Sequence, residues 1–528
     1  MMKSKFRVKA ALLLIAVLLL HAVANAYVLY NSKVVRVYDE GYYIASGLEV
    51  RRMIARGEYV NTWFWREPLP RKAFALLEGV VLTMLDKIGL PDIDSMILFS
   101  NLICLLILLV SVYKIGSILY NQETGLLAAV LLSFSPAIFS QARGNMLELP
   151  LAAVVSLSLW SLLKTDNFNS LGFSLLTAAF FLLAQFTKEV AVVFIAPVFL
   201  YCSFRALSQR RQRLRRTLHF IAVVLLSLLP TAAYFLQKGN QQAIQQLLGR
   251  AWLIKMEAME FFYYLEGFPD FYLGWALFIA LVPLMLHYLV NIKRRNVFLA
   301  LWLFVPMVVF SLSPNRVSRF LIPSLPAFFL LLSHELFDSL FEIRRKYAAV
   351  LIAVAVLQFT IFSFYPGFSL LPRPEFDWGL LSARQDSDVD TVRKLVDIFK
   401  TEQPYSGEAK RVVFIFNLGW HTALRYEFQL RNMPFSIECR QQENHADAPA
   451  PGTVNWQEYL STADYVLDKT GDLGKRGTYE DITSELVTSL KNNAQRFKKI
   501  AEFETANGDT IYVYKNIAQN IPYPAGGS

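Results

Sequence analysis

The chain has 528 residues and a formal net charge of +10; 55% of its residues are hydrophobic, 18% are charged, and the mean hydropathy is +0.36. A soluble domain is about a quarter charged, so the composition excludes a wholly soluble protein and describes a polytopic membrane protein. From Pro366 to Ser528 the sequence holds 18 Lys+Arg against 22 Asp+Glu, which leaves 34 and 20 for the first 365 residues. The basic excess therefore belongs to the membrane part, where basic loops orient helices, and it is poor evidence for a nucleic-acid partner. The acidic remainder reads as a separate soluble domain.

In chain order, Lys3, Lys5, Arg7 and Lys9 precede an apolar run from Ala10 to Leu20. Ala24-Asn25-Ala26 resembles a signal-peptidase site, yet the apolar stretch continues to Leu29, long enough to span, and a retained helix is the preferred reading. Next comes Val37–Val50, in which Asp39 and Glu40 open a short segment with aromatic and aliphatic residues at one-turn spacing. This predicts an interfacial helix with an acidic tip, although an acidic pair by itself is ordinary surface decoration. Further along the same loop, Phe74, Leu77, Val81, Met84/Leu85 and Ile88 recur at helical spacing, with Arg71, Lys72, Glu78 and Lys87 interleaved. An amphipathic helix lying on the membrane surface is expected there.

Apolar windows place about eleven spans near 10–30, 95–113, 124–141, 146–163, 170–187, 189–205, 217–236, 271–290, 296–313, 319–336 and 347–365. The run from Gly172 to Phe204 is broken only by Lys188 and Glu189. One helix of that length would be roughly 50 Å long, against a bilayer core of ~30 Å. It would also export the loop carrying Arg205, Arg210, Arg211, Arg213, Arg215 and Arg216, against the positive-inside rule. Two short spans meeting at Lys188-Glu189 keep these arginines on the side of Lys293-Arg294-Arg295 and Arg344-Arg345-Lys346. The opposite, exported side then receives the 31–94 loop, Gln141–Asn145, Lys188-Glu189, the aromatic Gln237–Asp270 loop, Pro314–Ser318 and the C-terminal domain. The organisation expected is a mostly α membrane domain over 1–365 and a small exported α/β domain over 366–528. In the latter, Arg411–Asn417, Ala463–Asp468 and Ile511–Lys515 read as strands, and Val389–Lys400, His421–Leu430 and Ile482–Lys499 as helices.

Four charged groups fall on the exported face: Asp39-Glu40; Arg143 and Glu148; Lys188-Glu189; and Arg316 with Arg319 in a proline-interrupted segment. Each has a bland alternative, such as lipid-headgroup anchoring or capping of a helix N-terminus. Together they supply a carboxylate to take a proton and cations to bind a leaving phosphate. There is no GxGxxG or Walker sequence in the chain, which fits a lipid-linked donor rather than a nucleotide.

Ala142-Arg143-Gly-Asn-Met-Leu-Glu148-Leu-Pro, Phe186-Thr187-Lys188-Glu189 and Arg319-Phe-Leu-Ile-Pro-Ser-Leu-Pro326, together with the Asp39-Glu40 pair, resemble landmarks of the GT-C glycosyltransferases. The nearest branch is similar to protein O-mannosyltransferases and lipid A aminoarabinose transferases, and the resemblance covers about Val8 to Ser333. It implies inverting transfer from a polyprenyl-phosphate sugar to a lipid, glycan or protein acceptor, in a bacterial inner membrane. Carried over, Asp39 is the catalytic base, Glu40 its neighbour and Glu148 the second loop acid. Lys188, Arg316 and Arg319 hold the lipid phosphate, and Arg143 joins the substrate-binding groups. Where relatives often carry Lys-Pro-Pro-Leu, this chain has Arg66-Glu67-Pro68-Leu69-Pro70, so Arg66 takes the lysine's part. Glu67 adds a negative charge, a candidate ligand for a divalent metal ion that stays otherwise unassigned. The competing classes are a polyprenyl-linked lipid or glycan flippase, which would place its charges near the midplane, and a non-catalytic assembly protein.

Overall fold

A backbone in lipid can satisfy its polar groups only internally, so long apolar runs become helices. The computed structural model describes residues 2–36, 38–58, 72–90, 92–208, 212–235, 263–290, 296–312, 316–339, 343–365, 380–384, 388–402, 409–416, 420–431, 433–438, 456–470, 479–505 and 508–518. These are mostly helical, with a small five-stranded sheet near the C-terminus. The chain divides into two compact units, one of 1–31 with 50–383 and one of 32–49 with 384–528.

Among the described residues of the first unit, six helices are long and apolar enough to cross a membrane: Val8–Tyr30, Ile93–Leu119, Ala191–Ser208, Arg213–Ala232, Ser318–Asp338 and Arg344–Phe364. Leu171–Thr187, Trp275–Val290 and Val297–Ser311 are shorter apolar helices. Helix α1 (Met2–Tyr30) turns Leu12, Ile15, Leu19 and Val23 outward and buries Leu14, Val17, His21, Ala24 and Val28. The outward face is apolar, as a lipid-facing helix requires, while the buried face also carries His21 and Asn25. Helix α2 spans Tyr38–Ala55, and α3, Lys72–Lys87, buries Phe74, Ala75, Glu78, Val81, Leu82 and Leu85 while exposing Val80 and Met84.

Helix α4 (Ile93–Leu119) packs against α5 (Gln122–Ser133), and Gly116 and Gly125 set their approach. A Cβ on Gly116 would lie 2.4 Å from the Gly125 Cα, so the crossing accepts no side chain at that point. The continuous span expected over 124–141 is corrected by the structure. Helix α5 ends at Ser133, and Pro136 starts α6 (Pro136–Gln141), because proline has no N–H to continue a ladder but fits a first turn. The long run after residue 170 breaks as its charges demand, into α8 (Leu171–Thr187) and α9 (Ala191–Ser208), following α7 (Glu148–Lys164).

The second unit holds a sheet of order β2-β1-β3-β5-β4, in which β1 (Lys410–Phe414) pairs in parallel with β2 (Phe435–Glu438) and β3 (Tyr465–Lys469). Strands β4 (Phe497–Glu504) and β5 (Thr510–Asn516) extend it antiparallel. One face packs Val413, Ile415, Val466, Leu486 and Leu490; Phe399, Phe428, Phe435 and Tyr465 form an aromatic cluster. The expected helix over 482–499 is too long, since the chain turns after Asn492 and Phe497 begins β4.

Candidate active site

The tight connection between α6 and α7 brings in two buried charges, Arg143 and Glu148. Asn101 on α4 donates to the carbonyl of Gly144 at 2.8 Å, and Arg143 locks the connection further. Arg143 is fully buried. Its Nε donates to the Asn25 Oδ1 at 2.8 Å, one terminal nitrogen to the Ser363 hydroxyl at 2.6 Å and the other to the Leu381 carbonyl. The guanidinium also lies over the rings of Phe139, at 4.8 Å, and Phe359, at 5.2 Å. All three nitrogens of Arg143, expected among the substrate-binding groups, are thus bonded to the chain itself.

Four residues on, Glu148 opens α7, where the unsatisfied N–H groups of a first turn favour negative charge. Its Oε1 accepts from Lys188 Nζ at 2.7 Å and lies 3.5 Å from Arg319 Nε. The Glu148 side chain is 2% exposed, Lys188 14% and Arg319 12%. Lys188 reaches this place because α8 stops at Thr187. Its own backbone is extended (φ −160°, ψ 134°), and its N–H caps the Ala184 carbonyl. Its ammonium lies 4.9 Å from the centre of the Phe320 ring.

Arg319 sits in a 3₁₀ turn, Ser318–Ser324, pinned from several sides. Tyr272 donates to the Ser318 carbonyl at 2.7 Å, Tyr264 to the Val317 carbonyl at 3.3 Å, and Trp302 Nε1 to the Pro323 carbonyl at 2.9 Å. Tyr264 reads from the sequence as part of an interfacial belt, but it is fully buried and positions this turn. Among the described residues, the cluster sets the Glu148 carboxylate against the Lys188 and Arg319 cations in a nearly dry place, where charge-assisted hydrogen bonds to an anion are strong.

The other expected residues are placed as follows. Arg316 donates its Nε to the Ser311 carbonyl at 3.0 Å. Asp39 and Glu40 stand in the first turn of α2, within the second compact unit, and Glu40 pairs with Arg36 at 3.3 Å. Arg66 and Glu67 lie outside the described residues. Among the described residues no group of three His, Cys, Asp or Glu side chains is arranged to hold a metal ion.

Glu78 of α3 was read as part of a polar face, and it is fully buried. Burial pushes its carboxyl well above the usual range. The spacing carried the signal. Glu78 lies four residues after Phe74 and three before Val81, on the apolar stripe rather than opposite it.

In fold, the chain is similar to solved structures of the GT-C type. Residues 82–235 match the family described as dolichyl-phosphate-mannose-protein mannosyltransferase. The chain is similar to ArnT from Cupriavidus metallidurans bound to undecaprenyl phosphate, with a TM-score of 0.57 and 13% identity over 98% of this chain and 99% of that one. It is also similar to the archaeal oligosaccharyltransferase AglB from Archaeoglobus fulgidus in complex with an inhibitory peptide and a dolichol-phosphate (TM-score 0.50, 12% identity, 97% and 75% of the two chains). A third likeness is to the arabinofuranosyltransferase AftD from Mycobacteria (TM-score 0.50, 15% identity, 95% and 40%). No curated protein matches the sequence.

Proposed function

We propose that this protein is a glycosyltransferase that moves a sugar from a polyprenyl-phosphate donor to a lipid, glycan or protein acceptor at the exported face of a bacterial inner membrane. The observation that carries the reading is the buried Glu148–Lys188–Arg319 cluster on a GT-C fold. The ArnT and AglB structures hold undecaprenyl phosphate and dolichol-phosphate, which supports a lipid phosphate as the anion that Lys188 and Arg319 receive.

In the reaction, an acceptor hydroxyl oxygen attacks the anomeric carbon from the face opposite the phosphate. The new carbon–oxygen bond forms as the bond to phosphate breaks, inverting that carbon. The electron pair leaves with the polyprenyl phosphate, whose charge Lys188 and Arg319 neutralise, and the hydroxyl proton passes to Asp39. Glu148 holds the two cations in place and offsets their mutual repulsion.

Membranes carrying the wild type, Asp39→Asn or Glu148→Gln are supplied with radiolabelled polyprenyl-phosphate sugars, and transfer to endogenous acceptors is counted. Loss of a general base is expected to lower transfer by ~10²–10⁴-fold in Asp39→Asn. Unimpaired transfer in both variants would remove the proposed mechanism. Surface-glycan profiles of cells lacking the protein then identify the sugar and acceptor.

A further inference from the structure

We infer that the C-terminal α/β unit is part of the catalytic device, because it sets the position of the acid-bearing turn through contact of Gly41 with Thr422. The inference rests on the reading of Asp39 as the catalytic base. Three observations within the second compact unit carry it.

The first is a close approach. Gly41 is buried in the first turn of α2, two residues after Asp39. A Cβ built there would lie 2.7 Å from the Thr422 Oγ1, 2.9 Å from the Thr422 Cβ and 2.7 Å from the Arg36 carbonyl oxygen. Non-bonded carbon atoms settle at ~3.5–4.0 Å, so any side chain at 41 moves the turn by several tenths of an ångström. Thr422 is itself buried, in the first turn of α17 (Trp420–Leu430).

The second is backbone strain at the same place. Tyr38, immediately before Asp39, has φ of +52°, a left-handed conformation that a bulky residue holds only when its surroundings impose it. The third is a set of three ties at and just before the turn. Arg36, 4% exposed, pairs with Glu40, while the Lys33 N–H donates to the Arg384 carbonyl at 2.8 Å and the Arg384 N–H to the Ser32 hydroxyl at 3.2 Å.

The topology explains why this spot can serve. Helix α17 follows β1 in the chain. From β1 the chain runs to β2 on one side and returns to β3 on the other. The carboxyl end of β1 is therefore the switch point, where doubly wound sheets usually receive a ligand. Here the first turn of α2 packs against the first turn of α17. The α/β unit grips the chain's own acid turn, and Gly41 and Thr422 are positioning residues.

The test uses the full-length protein and four variants: Gly41→Ala, Thr422→Gly, the double variant and Asp39→Asn. Transfer is read by complementing a deletion strain and profiling its surface glycans. Binding of undecaprenyl phosphate to the purified protein is the second readout. Gly41→Ala is expected to bind undecaprenyl phosphate like wild type but to transfer at least about tenfold less, since a ~1 Å misplacement costs up to ~10²-fold. Thr422→Gly removes two of the three close contacts, so the double variant is expected to recover at least about threefold of the transfer that Gly41→Ala loses. Wild-type transfer by Gly41→Ala, no recovery in the double variant, or a parallel loss of lipid-phosphate binding would each overturn the inference. Should Asp39→Asn transfer normally, the reading of Asp39 fails; should it be inactive while Gly41→Ala is not, only the positioning role fails.

Discussion

Glu148, Lys188 and Arg319 depend on one another for their burial. Removing one partner of a buried ion pair typically costs ~3–5 kcal/mol, because the remaining charge is left without compensation. Lys188→Met is therefore expected to destabilise the protein by about that amount, and Glu148→Gln combined with Lys188→Met by less than the sum of the two single changes. Thermal melting of the four purified forms in detergent checks this; strict additivity would mean that the two side chains do not interact. Arg143 presents a different case, since its three bonds reach Asn25, Ser363 and Leu381 from one planar group. A lysine has neither the fork nor the length to make all three. Arg143→Lys is expected to lower the melting temperature; a raised KM for the proposed lipid-linked donor would support a substrate-binding role for Arg143, and an unchanged KM a purely structural one. At Glu78 the prediction concerns pH. Its folded-state pKa is raised above the ordinary 4.5, so the folded protein binds this proton more tightly than the unfolded chain does. Stability from this site is present at low pH and declines as pH rises above 4.5 toward the raised value. Glu78→Gln cannot ionise, and its melting temperature is expected to gain on wild type between pH 4.5 and 8; a constant difference would show that Glu78 is not held neutral.

At the scale of elements, the breaks between helices matter more than the helices. Thr187 ends α8 so that Lys188 can turn back toward Glu148, and Pro136 starts a short helix that feeds the Arg143 connection. The Ser318–Ser324 turn is rigid because Tyr264, Tyr272 and Trp302 each bond to a carbonyl at one of its ends. Tyr272→Phe removes one of these bonds, worth about 0.5–1.5 kcal/mol, and loosens Arg319. A several-fold rise in the KM for the proposed polyprenyl-phosphate donor with kcat little changed is the expected kinetic signature, and an unchanged KM would separate this tyrosine from the site. The Gly116–Gly125 crossing is set by backbone contact, so Gly116→Val is expected to part α4 from α5 and to reduce the yield of folded protein in membranes.

For the whole molecule, composition alone excluded a soluble protein, and the six arginines from Arg205 to Arg216 divided the long apolar run into two helices. Hydropathy and charge placement are properties of the sequence itself, because lipid rewards length of apolar chain and loops are sorted by sign. The short landmarks around Glu148, Lys188 and Arg319 were legible for the same reason: isolated charges at the ends of apolar segments stand out. The roles of particular arginines were not legible. Arg143 and Arg319 look alike in sequence, and only tertiary structure decided that one is enclosed by Asn25, Ser363 and Leu381 while the other faces Glu148. Strands β2 and β4 likewise went unread, because short strands are specified by partners distant in sequence rather than by local period. Whether Asp39-Glu40 was decoration or a positioned turn also lay beyond the sequence, since Gly41 and Thr422 meet across some 380 residues of chain. Local chemistry determined that charges gather at the ends of helices; packing determined which of them are held in place, and by what.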